Sequence, residues 1–460
     1  MQNLVQSFSE KLYEKFLTKG KVKNVQIFIE KWKEGKFYKK GDLIKNNGLI
    51  YRCIKDHISV KDYSPANSEF FWKKVHHKMI VGYFPSWGIH TKSFTLKDVD
   101  GDKLTHLIYA FANIADDGRC IVGDPKTDLD KAFEGDDPND PFKGNFHQLE
   151  LLKMRYPHLK VLISVGGWNW SKNFSKMAST DKGRKKFVKS CIETFIKGNF
   201  GEKYGKHPGI FDGIDIDWEY PVSEGKYEGK PQDKENFTKL MKELRNALNK
   251  QGVKDGKNYL LSFAGAADEE YIKNKIELSE IAKYVNFIVV MTYDFYGGWS
   301  NVTGFHNNMY DYKENSSGLS VDKTIENYIK YGAPKEKLLL GIPFYGRSWS
   351  KIPPENHGLG QPTGGLGPGT IEGGILDYSD IVRRFEPVMR KYFHPQAQSV
   401  WLYDDGTFIT YESTETAAEK AMYVISNDLG GIVFWELSCD VRGVPAPKGS
   451  LLYTIHHIFH

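Results

Sequence analysis

Residues 211–221 read Phe-Asp-Gly-Ile-Asp-Ile-Asp-Trp-Glu-Tyr-Pro. Asp215, Asp217 and Glu219 alternate with Ile214, Ile216 and Trp218. A β-strand points successive side chains to opposite faces, so the three carboxylates share one face, about 6–7 Å apart along the chain. Three like charges on one face of an otherwise apolar strand are costly, and burial neutralises at least one of them. Such a stack suits a general acid kept protonated above an anion. The competing reading is an edge strand with a solvated acidic face, which the poor strand propensity of Asp disfavours.

Outward from this stretch, apolar strand runs fall at 79–84, 104–113, 159–166, 211–219, 258–266, 285–293, 338–345 and 430–437. Helical patterns lie between them. In 233–250, Phe237, Leu240, Met241, Leu244 and Leu248 recur on one helical face. Eight strands alternating with helices predict an α/β fold, a parallel (β/α)8 TIM barrel occupying residues 76–460. The gap between the seventh and eighth strands is too long for one helix, so residues about 347–410 are expected to form an insertion. The glycine-rich stretch Gly358–Gly369 lacks the Lys-Ser/Thr of a phosphate loop and reads as a loop of that insertion.

The segment before the barrel has a different texture. Leu4, Val5, Phe8, Leu12 and Phe16 are spaced for an amphipathic helix, giving a helical segment over 1–23. Residues 24–75 crowd Trp32, Tyr38, Tyr51, Tyr63, Phe70 and Trp72 into a short stretch, with a hairpin signal at Asn47-Gly48. This is a small β module in which some rings must form a mini-core. Trp32, Tyr38, Tyr51 and Trp72 are the candidates for an exposed stacking platform.

Composition removes several function classes. The net charge is only +5 with acidic and basic residues interleaved, so no nucleic-acid face is expected. The four cysteines lie far apart and form no Cys-x-x-Cys or His/Cys cluster, so neither a metal nor a disulfide framework is expected. No apolar run of about 18 residues occurs, which argues against a membrane span. The first residues lack the features of a secretory signal.

With Asp212-Gly-Ile-Asp215-Ile-Asp217-Trp-Glu219-Tyr-Pro221 on the fourth barrel strand, the chain resembles a glycoside hydrolase family 18 chitinase of bacterial type. Other motifs carry the same resemblance in order: Ser164-Val-Gly166-Gly167-Trp168 at strand three, Met291-Thr-Tyr293-Asp294 at strand six, Gly341-Ile-Pro343-Phe-Tyr345-Gly-Arg347 at strand seven and Trp435 at strand eight. Each falls at a C-terminal strand end, where barrel enzymes keep their chemistry. Gly367-Pro-Gly369 and Gly373-Gly374-Ile-Leu-Asp377-Tyr378 resemble the family's α+β insertion. Tyr38-x-x-Gly41-Asp42, Gly48-Leu-Ile-Tyr51 and Trp72 are similar to small chitin-binding modules attached to bacterial chitinases.

The resemblance implies hydrolysis of β-1,4 bonds in chitin and chito-oligosaccharides with retention and without a cofactor. The substrate's own 2-acetamido group acts as nucleophile through an oxazolinium ion. It implies Glu219 as the acid that protonates the leaving oxygen, Asp217 as the anion that stabilises the cyclising acetamido group, and Asp215 as its proton-sharing neighbour. Tyr293 would donate to the acetamido oxygen. Tyr83, Phe111, Trp168, Met291, Asp294, Tyr345, Arg347 and Trp435 would line the cleft, with Trp435 as the floor beneath the bent sugar. Ser164, Gly166, Gly167 and Asp212 would support the strand ends. A polymer found outside cells implies an extracellular site of action.

Three alternatives stand beside this expectation: a non-catalytic chitin-binding lectin on the same barrel, an endo-β-N-acetylglucosaminidase or peptidoglycan-lytic enzyme, and an adhesive or toxin-complex subunit docking to a protein partner through residues 1–23. The presence of Glu219 argues against the lectin.

Overall fold

A computed structural model describes residues 29–75, 77–222 and 225–460. The expected helical segment over 1–23, and with it the docking segment for a protein partner, lies outside the described residues.

Eight strands close into a parallel barrel: β1 (Met79–Pro85), β2 (His106–Ile114), β3 (Lys160–Gly166), β4 (Gly213–Asp217), β5 (Leu260–Gly265), β6 (Phe287–Val290), β7 (Leu338–Pro343) and β8 (Gly431–Trp435). The ring shuts where β8 pairs with β1, Gly431 opposite Met79. Period-two alternation sorts the side chains. Val81 and Tyr83 of β1 join the apolar filling inside the barrel with Leu162, Ala264, Val289, Leu339 and Val433. Ile80 and Phe84, and Ile214 and Ile216 of β4, face the outer layer of helices. The opposite face of β4 therefore carries Asp215 and Asp217 inward.

The outer helices are amphipathic. The helix over Asp233–Asp255 buries Phe237, Leu240, Met241, Leu244 and Leu248, and it stops at Gly256, whose φ of 63° suits glycine. It runs five residues past the sequence estimate because the apolar face continues to the Gly256 stop.

The ladders are shorter than the apolar runs suggest. The β4 ladder ends at Asp217, so Glu219 lies two residues beyond it. On the neighbouring strand, Gly166 is the last residue to pair, opposite Asp217, and Gly166 and Gly167, at φ 113° and 76°, turn β3 away beyond that point. Likewise β7 ends at Pro343, which has no N–H for the ladder. Tyr345 and Arg347 lie instead on the first strand of the insertion (Tyr345–Trp349), not at the end of a barrel strand. The insertion is a five-stranded antiparallel sheet that closes with Thr407–Tyr411.

Before the barrel, strands Glu30–Lys31, Leu43–Asn46, Leu49–Cys53 and Trp72–Lys74 form one sheet. Asn47 and Gly48 adopt φ 49° and 78°, the two left-handed residues that a tight hairpin turn needs. Tyr38, Tyr51 and Trp72 are buried with Ile44 and Cys53, and Trp32 packs half-buried against them. These four rings are the module's core rather than an exposed platform, because so small a sheet has little else to bury. The rings left on the surface are Phe37, Tyr63 and Phe70. Tyr63 and Phe70 both pack edge-on against Phe71, at 5.3 and 4.9 Å between centroids. Arg52 ties the module to the barrel through Asp428 at 2.9 Å.

Candidate active site

Parallel register sets the deepest layer of the site. Ser164 of β3 is level with Asp215 of β4, and Asp215 is level with Ser262 of β5. All three point into the barrel. Ser164 donates to Asp215 Oδ2 at 2.8 Å, Tyr83 donates to the same oxygen at 2.9 Å, and Ser262 donates to Oδ1 at 2.6 Å. Burial pushes the Asp215 carboxyl up, while the three hydroxyls favour its anion and pull it back.

One layer higher, Asp217 is buried and its Oδ1 has no hydrogen-bond partner. Burial raises its carboxyl far above the ordinary range, and the charges of Glu219 and Asp215 push the same way. A buried carboxyl oxygen without a partner is poised to accept a donor brought by a ligand.

Glu219 is half-buried at the top of the stack. Burial drives its carboxyl up to about 7, against the pull of the Tyr220 hydroxyl. Its backbone is fixed by Ser171, whose hydroxyl accepts the Glu219 N–H at 2.9 Å and lies within hydrogen-bond distance of the Gly167 and Asp217 carbonyls. The Gly167 N–H donates to the Asp217 carbonyl at 2.8 Å. The glycines have no room for more: a Cβ on Gly166 would lie 2.3 Å from the Asp217 carbonyl oxygen, and one on Gly167 would lie 2.6 Å from the Phe111 ring.

The opposite wall comes from the segment after β6. Burial holds the Tyr293 hydroxyl protonated, and the charge of Asp217 reinforces this, so Tyr293 is a donor. Asp294 sits at φ 61° and accepts from Tyr345 at 2.8 Å and from Arg347 Nε at 2.9 Å. Burial pushes the Asp294 carboxyl up, but the Arg347 guanidinium outweighs it with help from His306 and Tyr345, holding it down to about 2. Met291 belongs to the half-buried rim of the barrel's interior filling.

Aromatic rings pave the floor. Trp435 stacks on Phe111 at 5.7 Å and lies 5.2 Å from Tyr83. Trp168 stands half exposed on the rim. Asp212 is remote from this layer: at the start of β4 it accepts from Lys153 at 2.6 Å and from the Val161 N–H at 2.9 Å, which pins the strand's entry.

Sequence reasoning missed five residues of this site. Ser262 had a visible signal, a lone polar residue at an inward position of an apolar strand. Trp87, directly after β1, lies 6.1 Å from both Phe111 and Trp435, and its exposed ring extends the floor. Trp299 is exposed, with the Arg347 guanidinium 5.2 Å from its ring centre. Ser171 and the fully buried His306, 3.8 Å from Asp294, have no local signature.

Residues 79–440 match the family model for glycosyl hydrolases family 18, and residues 31–73 match that for carbohydrate-binding module family 5/12. Chitinase A1 of Niallia circulans is 36% identical across 78% of this chain, which spans 56% of that longer protein. Endochitinase 1 of Metarhizium robertsii is 34% identical across 78% of this chain and 81% of its own length. Among solved structures, the catalytic domain of a psychrophilic chitinase B from Arthrobacter superposes with a TM-score of 0.77 at 32% identity, covering 84% of this chain and 96% of that one. Chitinase ChiA74 from Bacillus thuringiensis gives 0.75 at 35% identity, over 84% and 70%. A closed parallel barrel with three inward carboxylates on its fourth strand and loop, matched over this length, identifies the chain as a member of glycoside hydrolase family 18.

Proposed function

We propose that this glycoside hydrolase cleaves the β-1,4 bonds of chitin with retention, using the substrate's acetamido oxygen as the nucleophile. The observation that carries the reading is Asp217: buried, unpartnered at Oδ1, and set between a hydroxyl-locked Asp215 and a Glu219 raised to about 7. Glu219 protonates the leaving glycosidic oxygen. Asp217 accepts the acetamido N–H and stabilises positive charge as the carbonyl oxygen closes on the anomeric carbon. The proton between Asp217 and Asp215 is shared, so the pair titrates as a unit. Tyr293 donates to the acetamido oxygen and fixes its line of attack. Arg347 and Tyr345 both donate to Asp294 Oδ1 and fix that carboxylate against the cleft wall. Water then opens the oxazolinium ion from the face the leaving group vacated, breaking the bond to the acetamido oxygen, with Glu219 taking the water's proton as base.

Tyr83, Phe111, Met291, Trp168 and Trp435 hold the sugar rings, with Arg347 and Tyr345 fixing Asp294. Residues 24–75 act as a separate chitin-binding module whose sugar face carries Tyr63, Phe70 and Phe37. An insoluble extracellular polymer as substrate places the enzyme's work outside the cell. No helix among the described residues is long and apolar enough to cross a membrane.

The deciding experiment follows the anomeric proton by NMR during cleavage of a chito-oligosaccharide. The β-anomer is expected first, and a thiazoline analogue of the cyclised intermediate is expected to inhibit strongly. An initial α-anomer would overturn the mechanism.

A further inference from the structure

Lys92 belongs to none of the motifs above. It directly follows the one-turn helix Gly88–Thr91, which begins just after Trp87. Its side chain is only 12% exposed, yet it carries an ammonium with three partners. It donates to Asp377 Oδ1 at 2.9 Å, to Glu436 Oε1 at 3.2 Å and to Cys439 Sγ at 3.1 Å. Asp377 ends the insertion strand Ile375–Asp377. Glu436 is the residue after Trp435. Its carboxylate also accepts from the Ser438 N–H at 2.9 Å, the Ser438 hydroxyl at 2.7 Å and the Cys439 thiol at 3.2 Å, and so closes the turn beyond β8. Arg442 donates to the Lys92 carbonyl at 2.6 Å.

One ammonium thus joins three pieces of chain that are remote in sequence. Two of them carry the paired floor rings, Trp87 and Trp435. The third is the insertion, whose Arg347 reaches Asp294. Asp377 and Glu436 side chains are only 10% and 6% exposed. Two buried carboxylates sharing one cation lose much when that cation goes, because an unpaired buried charge remains.

We infer that Lys92 is a positioning residue: it sets the spacing of Trp87 and Trp435 and locks the insertion against that floor, and so governs affinity for the sugar bound there. The inference rests on reading the cleft as a sugar site. It makes no claim that Lys92 touches substrate.

Three variants of the full chain, Asp377→Asn, Lys92→Met and Lys92→Arg, test it on a fluorogenic chito-oligosaccharide. Asp377→Asn removes the charge from the tie to the insertion but keeps the Lys92–Glu436 contact. It should raise KM about three- to tenfold while kcat stays within about twofold. Lys92→Met should raise KM further and move the alkaline limb of kcat/KM to lower pH. Without the ammonium, burial and the facing Glu436 side chain favour a proton on Asp377, and that proton leaves as pH rises. Lys92→Arg restores a cation and should return the limb toward the wild-type position. If Lys92→Met does not fold, the KM of Asp377→Asn decides. Turnover of the same substrate by the unaltered chain tests the sugar-site reading. Turnover with KM and pH limb unchanged in the variants overturns the Lys92 assignment alone.

Discussion

Replacing the acid should stabilise the protein, and only above a defined pH. Burial raises Glu219 from an ordinary 4.5 to about 7. That difference corresponds to about 3 kcal/mol between the two protonation states. Because the native state holds the proton more tightly than the unfolded chain, stability contributed by the neutral acid is fully present below pH 4.5. It is lost as pH rises and is gone above about 7. Glu219→Gln keeps the shape and neutrality of the protonated acid but has nothing to ionise. Wild type and variant should therefore unfold at similar temperatures near pH 4. The variant should gain as pH climbs, reaching an advantage of about 3 kcal/mol, or about 4 °C for a domain of this size. Differential scanning calorimetry at half-unit steps from pH 4 to 9 reads the difference directly. Over the same range the wild type should lose kcat about tenfold per unit above pH 7, as the acid loses its proton. The variant should turn over at least about a thousandfold more slowly at every pH. A temperature gap that stays flat from pH 4 to 9, or one favouring the wild type at pH 9, would show that Glu219 is not held neutral by burial.

Arg347→Met removes the cation that holds Asp294 down to about 2, leaving burial to raise that carboxyl; KM should then rise as pH falls toward 5, a trend the wild type should lack. Gly167→Ala places a Cβ 2.6 Å from Phe111 at a φ of 76°, and should cost about 1–3 kcal/mol of stability in chemical denaturation and lower kcat/KM with it. Tyr63→Ala should weaken adsorption to insoluble chitin while leaving hydrolysis of a soluble oligosaccharide unchanged. Trp72→Ala should instead cost the module about 3–5 kcal/mol and expose residues 29–75 to limited proteolysis, and equal proteolysis of the two variants would refute the division into face and core.

The barrel and its chemical end were readable because both rest on short-range periodicity. Alternation over 211–219 put Asp215, Asp217 and Glu219 on one face, and any burial of Ile214 and Ile216 forces those acids inward. The helix face from Phe237 to Leu248 follows from the same logic at a period of 3.6. The module shows where that logic ends. Aromatic content announced a ring-rich sheet, yet whether a ring is core or surface depends on which strands pair. Trp72 falls inside because it pairs beside Cys53 on a central strand, and Tyr63 falls outside because it ends the short turn Lys61–Tyr63, which buries none of its residues.

By itself, then, the amino-acid order determined the fold class, through apolar runs alternating with helical patterns, and the acid-bearing strand, through side-chain alternation within one segment, while the chemistry expected there rested on the resemblance of its motifs to glycoside hydrolase family 18. Only the folded chain decided that Ser262 shares Asp215 with Ser164 and Tyr83, that Ser171 anchors Glu219, that Trp87 joins Trp435, and that Lys92 ties both to the insertion. Those contacts join residues far apart in sequence. They depend on strand register and loop path, which no local pattern encodes.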